Sequence, residues 1–180
     1  MSQRLTRAEF HQWAERQPHR HERIGGEVVA MAPERAVHAR LKARIWRALD
    51  QAIRDNGLEC EAFPDGMTVE IDEDTDYEPD AVVNCGPPVP PDSTVANNPV
   101  VVVEVMSPST RSIDTGDKLA DYFRHPSVRH YLIVRARRRE IIHHWRDGPD
   151  IGTRTVASGP VRLDPPGLSI DVDEVYAGIG

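Results

Sequence analysis

Two acids on separate strands and a lysine beyond them are the residues of this chain best placed to do chemistry. Asp80 follows Pro79 at the mouth of a short apolar run, AVVNC. Glu104 interrupts VVVVEVM (100–106), with four valines before it and one after. A valine run of this kind reads as a strand covered on both faces. An ionised carboxylate is costly there unless a basic partner, hydrogen-bond donors or a metal ion offset its charge. If the strands bearing Asp80 and Glu104 are neighbours, their carboxylates converge at one end of a sheet. They then repel, which forces a proton onto one of them unless a divalent cation binds both. All-oxygen ligands suit Mg²⁺ or Mn²⁺, with water completing the shell. In DTGDK, Asp114 and Lys118 are four apart and share a helix face, with Tyr122 four further on. From that face the Lys118 ammonium can orient a metal-bound water, help deprotonate it, or offset charge developing on a phosphate.

These side chains need elements to hold them. Thr6-Arg7-Ala8-Glu9 has the form of a capping box and predicts a helix to about Gln17. Gly25-Gly26 between two short strand-like pieces predicts a hairpin. Val37, Leu41, Ile45, Leu49 and Ile53 recur every four residues and predict a helix over 34–56, stopped at Asn56-Gly57. Strands are expected over 58–63, 67–71, 80–85, 100–106, 129–136 and 140–145, and a helix over 114–124, ended by Pro126. The order predicts an α/β (α+β) fold, a mixed β-sheet flanked by helices, with an N-terminal helix and hairpin. One domain over 1–180 is the expectation from length.

Composition narrows the classes. Hydrophobic content of 39% and charged content of 28% fit a globular protein. No apolar run approaches the ~20 residues that span a bilayer, and MSQRLTRAEF lacks the apolar core of a secretory signal. Cys60 and Cys85 suggest neither a disulfide framework nor a zinc site, so a reduced, cytoplasmic setting is expected. The net charge of −7 argues against a chain coated in nucleic acid. Basic residues nevertheless gather at Arg35–Arg47 and at Arg135–Arg139, local patches that suit an enzyme handling a polyanion. His143 and His144 alternate across a strand and cannot face one metal together; a structural role is expected for both.

The pattern PD (79–80), Glu104 on a second strand, then a lysine resembles the PD-(D/E)XK nuclease superfamily, the restriction-endonuclease-like fold. More narrowly, HERIGGEVVAMAP, the helix with His38, YEPDAVV, VVVEVMSPSTRSIDTGDKLADYF and VRHYLIV are similar to the Uma family of restriction endonucleases, over about residues 20–135. The resemblance implies a metal-dependent DNA endonuclease. Asp80 and Glu104 would hold Mg²⁺ or Mn²⁺ beside a carbonyl near Val105, and Lys118 would complete the catalytic set. Glu22 and His38 match family positions and enter as supporting residues: Glu22 as a third carboxylate, His38 as a partner of a metal-ligating acid or a phosphate. Asp114, on the Lys118 face, joins them. The superfamily lysine usually lies two residues after the acid, where this chain has Met106; Lys118 would replace it from the following helix. Restriction-type enzymes often pair two sites for two strands, so a homodimer on DNA is expected. Two rival classes share the scaffold. One is a non-catalytic nucleic-acid-binding module; the other is an enzyme that uses the same carboxylates on a small phosphorylated substrate.

Overall fold

The computed structural model describes residues 4–31, 33–106 and 113–179, the side chains of 113–115 excepted. The capping box forms at Thr6 and opens α1 (Arg7–Ala14). The hairpin follows as β1 (His21–Ile24) and β2 (Glu27–Ala30), turning through Gly25 and Gly26, both at positive φ. The four-residue periodicity gives α2 (Ala36–Asp55), which buries Leu41, Ile45, Leu49 and Ile53 on one face. Next come β3 (Cys60–Pro64), β4 (Val69–Glu70), β5 (Asp76–Tyr77), β6 (Ala81–Cys85) and β7 (Pro99–Met106). Then α3 (Ile113–Arg124) crosses to β8 (His130–Arg135), followed by β9 (Ile141–Asp147) and β10 (Asp150–Val156). A C-terminal hairpin of β11 (Pro160–Leu163) and β12 (Leu168–Asp171) ends in the short α4 (Val172–Val175).

The central sheet has the order β10-β9-β8-β7-β6-β3. Only β7 and β8 run parallel, as expected of strands joined through a helix; the other neighbours are antiparallel. Strand β7 is central and buried along its whole length. Its odd residues Val101, Val103 and Val105 pack with Leu41, Ile45 and Leu49 of α2 and with the C-terminal hairpin. Its even residues Val102 and Met106 pack with Tyr122, Phe123 and Tyr131 on the α3 side. The two-residue period therefore assigns Glu104 to the α3 face.

A second sheet, β2-β1-β5-β4, carries the N-terminal hairpin. Arg23 of β1 is fully buried there. Its guanidinium bonds Asp76 of β5 at 2.7 Å and donates to the Glu73 carbonyl at 2.9 Å. Nε and Nη2 of Arg23 both reach Asp76 Oδ2, and this charge-assisted pair satisfies two buried charges at once and locks β1 against the acidic stretch 71–80.

The cysteines correct the sequence reading. Cys60 and Cys85 are opposed in the β3–β6 register and joined by a disulfide. A spacing of 25 residues carries no signal of pairing; strand register brings the two together. Among the described residues no helix is long and apolar enough to cross a membrane.

Candidate active site

The site forms where β6 begins and β7 nears its end. Strand β6 begins at Ala81, which pairs with Val103 of β7, so Asp80 stands one residue before the pairing, at the end of the sheet that carries Glu104. The two acids are close enough for the Asp80 charge to act on the Glu104 carboxyl. Asp80 is 4% exposed, and its Oδ2 accepts a hydrogen bond from the Val105 amide at 2.6 Å. Pro79 has no N–H to lose where β6 begins.

Glu104 receives two donors from α3 on one oxygen. Lys118 Nζ lies 3.1 Å from Oε1, and the Tyr122 hydroxyl donates to Oε1 at 2.8 Å. The spacing of four residues puts Lys118 and Tyr122 on the helix face that meets β7. Met106, two residues after Glu104, packs in the core, and Lys118 reaches Glu104 from the next element. Lys118 Nζ also bonds Glu22 Oε1 of β1 at 2.9 Å, and its charge stands 4.8 Å from the centre of the Tyr77 ring. Glu22 Oε1 accepts in addition from the Glu78 amide at 3.1 Å. The N-terminal hairpin is in this way tied to both the Glu-Pro-Asp turn and the lysine.

The electrostatics are those of a site with surplus negative charge. Burial pushes the Glu104 carboxyl up to about 7; Lys118 opposes the shift, while Asp80 and Glu22 add to it. Burial works against the Lys118 ammonium, but Glu104 and Glu22 outweigh it and hold its pKa well above the usual lysine range. Tyr122 is raised by burial and by the Glu104 and Glu22 charges, so its hydroxyl keeps its proton and remains a donor.

A second lysine stands on the other side of the sheet edge. Lys42 of α2 is 5% exposed; its Nζ lies 3.0 Å from Asp80 Oδ1 and 2.5 Å from Asp65 Oδ1, and it bonds Glu34. His38, one turn earlier on α2, directs Nε2 at the Val105 carbonyl and lies 3.8 Å from Asp80 Oδ2. Each acid of the pair thus has its own lysine, one from each helix layer. Five carboxylates (Glu22, Glu34, Asp65, Asp80 and Glu104) share these two ammonium groups.

Of the residues singled out in the sequence, Asp80, Glu104, Lys118, Glu22 and His38 come together. Asp114 lies on α3, but its side chain is outside the described residues, as are Ser107 to Thr110. Lys42 and Asp65 were missed as site residues. The signal for Lys42 was its phase, since His38 and Lys42 are one turn apart on a helix whose apolar stripe faces the sheet. Asp65 gave none, because a Pro-Asp-Gly turn reads only as a turn. His143 contacts His130 and Arg154, and His144 contacts Thr153, away from the acids. In the arginine-rich turn, Arg135 and Arg139 pair with Glu140 and Asp173, while Arg137 and Arg138 are exposed.

The chain is similar to known proteins along most of its length. A family model described as "Putative restriction endonuclease", Uma2, matches residues 7–173. An uncharacterized protein of Synechocystis sp. is 31% identical over 179 residues, covering 98% of this chain and 93% of the relative. A second uncharacterized protein of the same organism is 32% identical over 133 residues, covering 72% of this chain and 74% of its own length. A crystal structure from Anabaena variabilis, described as a "putative nuclease belonging to DUF820", superposes with a TM-score of 0.74 at 12% identity, covering 96% of this chain and 98% of that one. At that identity the likeness establishes the fold, a mixed sheet flanked by helices as in that protein. With the family model spanning nearly the whole chain and the acid pair set at the sheet edge, the chain belongs to the Uma2 family of restriction-endonuclease-like proteins.

Proposed function

We propose that this chain is a metal-dependent endonuclease that hydrolyses phosphodiester bonds of DNA through Asp80, Glu104 and Lys118. The observation that supports it most is one cluster: the buried carboxylates of Asp80 and Glu104 at one end of β6 and β7, with a buried ammonium 3.1 Å from the second. The donor set fits a hard divalent cation, since Asp80, Glu104 and the Val105 carbonyl are all oxygen ligands. The raised Glu104 carboxyl marks negative charge that such a cation would offset.

When bound there, Mg²⁺ or Mn²⁺ supplies a Lewis acid for the scissile phosphate and an acidified water. The chain's own residues do the rest. The Val105 amide fixes the orientation of Asp80, and Tyr122 with Lys118 fixes Glu104. The Lys118 charge, held by Glu22 and Glu104, stands beside the site and offsets charge that develops on the phosphate. Double-strand cleavage calls for two such sites, which favours a homodimer as the working form.

The test is cleavage of plasmid DNA in Mg²⁺ or Mn²⁺. Asp80→Asn, Glu104→Gln and Lys118→Met are each expected to reduce the rate at least ~10²-fold, the scale of losing one preorganised charge partner. Circular dichroism should show the fold retained. Full activity in the triple variant overturns the assignment. Absence of both Mn²⁺ binding and cleavage in the native chain would instead support a non-catalytic binding module.

A further inference from the structure

The surroundings of Lys42 have the composition of a cation site, yet they hold an ammonium group. The ligating atoms of Glu34, His38 and Asp80 lie within 4.8 Å of one another. Asp65 stands beside them, with Oδ1 2.5 Å from Lys42 Nζ. Two carboxylates and an imidazole at this spacing, with a third carboxylate beside them, would suit a divalent ion. Lys42 Nζ instead bonds Glu34 and lies 3.0 Å from Asp80 Oδ1. Its side chain is 6% exposed, and the stem rises from the buried face of α2. Burial disfavours its charge, but Asp80, Asp65 and Glu34 outweigh the penalty, so the group stays an ammonium.

Asp80 is the hinge of the arrangement. Its Oδ2 faces the Val105 amide on the β7 side, and its Oδ1 faces Lys42 on the α2 side. A carboxylate in that position can serve two cations, one toward Glu104 and one toward Glu34 and His38. We propose that Lys42 is a built-in cation that fills, next to the shared acid Asp80, the place a second divalent ion would take, so that the site operates with one metal. This inference rests on the metal-dependent reading of Asp80 and Glu104 given above.

The physical reason is exclusion by charge and volume. A divalent ion coordinated by Glu34, His38 and Asp80 would have to share two of its three ligands with the ammonium. Like charges at that separation repel, most strongly beside the buried pair of Lys42 and Asp80. Lys42 does not simply withdraw, because its stem belongs to a packed helix face and its head is held by three acids. Lys42 also sets the orientation of Asp80 without touching substrate; it is a positioning residue. Neutralising it should leave Glu34 and Asp80 without their ammonium partner, while Asp65 keeps Arg20 at 2.9 Å, and open the second site.

The test counts metal ions rather than turnover. Crystals of the native protein and of Lys42→Met are soaked in Mn²⁺ and examined by anomalous scattering. Free Mn²⁺ is followed in parallel by electron paramagnetic resonance titration. The native chain is expected to bind a single Mn²⁺ beside Asp80 and Glu104. Lys42→Met is expected to bind a second ion among Glu34, His38 and Asp80, and Lys42→Arg should keep the native count. Should Lys42→Met fail to fold, Lys42→Gln carries the same expectation with a neutral donor retained. A second Mn²⁺ in the native protein overturns the inference, as does an unchanged count in the neutral variants while Mn²⁺ sits beside Glu104. No Mn²⁺ beside Glu104 in any variant overturns the metal-dependent reading itself, and this inference with it.

Discussion

Single residues at the two ends of the sheet are held by opposite electrostatic logic. At one end, Tyr122 gives Glu104 a hydrogen bond that favours its ionised form against burial. Tyr122→Phe keeps the ring packing on Tyr77 and Tyr131 but removes this donor. On the reading proposed above, Mn²⁺ affinity should fall roughly tenfold, the lower bound for losing a partner that orients a metal ligand; isothermal titration would show it. At the other end, His130 and His143 form a directed chain. Arg154 Nε donates to His143 Nδ1 at 3.3 Å, His143 Nε2 donates to His130 Nδ1 at 2.9 Å, and His130 Nε2 donates to the Pro165 carbonyl at 2.9 Å. A further proton on either ring would set donor against donor. Burial lowers His130 to about 4 and His143 to about 3, with neighbouring arginines and the imidazoles adding to the shift. Both are depressed, so below about 6.5 the unfolded chain takes up protons that the folded chain refuses. Stability should therefore fall as pH drops from about 6.5 toward 4. Urea midpoints across that range should fall less steeply in His143→Gln than in the native protein.

Elements matter here through what they bring to the sheet edge. Strand β7 supplies alternation: odd valines to α2, even positions to α3, with Glu104 among the even set. The crossover helix α3 supplies the lysine that the strand itself lacks. The N-terminal hairpin supplies Glu22, and its attachment depends on the buried Arg23–Asp76 pair. Removing Arg23 leaves the buried Asp76 with only the part-exposed Arg7, whose Nε lies 3.0 Å from Oδ1. Arg23→Met should accordingly cost about 1–3 kcal/mol, seen as a lower midpoint in chemical denaturation. It should also loosen Glu22 from Lys118, because β1 pairs with β5 through Arg23 and Asp76. Gly152 of β10 shows the same dependence on neighbours: a Cβ there would lie 2.2 Å from the Trp145 ring, so the indole keeps its place only over glycine.

The whole molecule closes the site from three directions: α2 with Lys42 and His38, α3 with Lys118 and Tyr122, and the N-terminal hairpin with Glu22. The Cys60–Cys85 disulfide fastens the two ends of the segment that contains Asp65 and Asp80. Closing a loop with a sequence separation of 25 restricts the unfolded chain, worth about 3 kcal/mol. Thermal unfolding with and without a thiol reductant should show a loss of that order, and Cys60→Ala with Cys85→Ala should make the protein indifferent to the reductant.

The sequence by itself determined most of the elements and pointed to the acids and the lysine. Hydrophobic period, the Thr6 capping box, the Gly25-Gly26 turn and the Val run around Glu104 are local signals, and local signals need no partner to be legible. The pattern of Asp80, Glu104 and Lys118 was readable too, because the family resemblance ties their spacing to a known arrangement. Only the tertiary structure decided the rest: that Lys42 and Asp65 join Asp80, that Glu22 holds Lys118, that Cys60 meets Cys85. Those meetings depend on strand register and on which helix covers which face. Both are set by packing between segments far apart in the chain, and no window of sequence contains them.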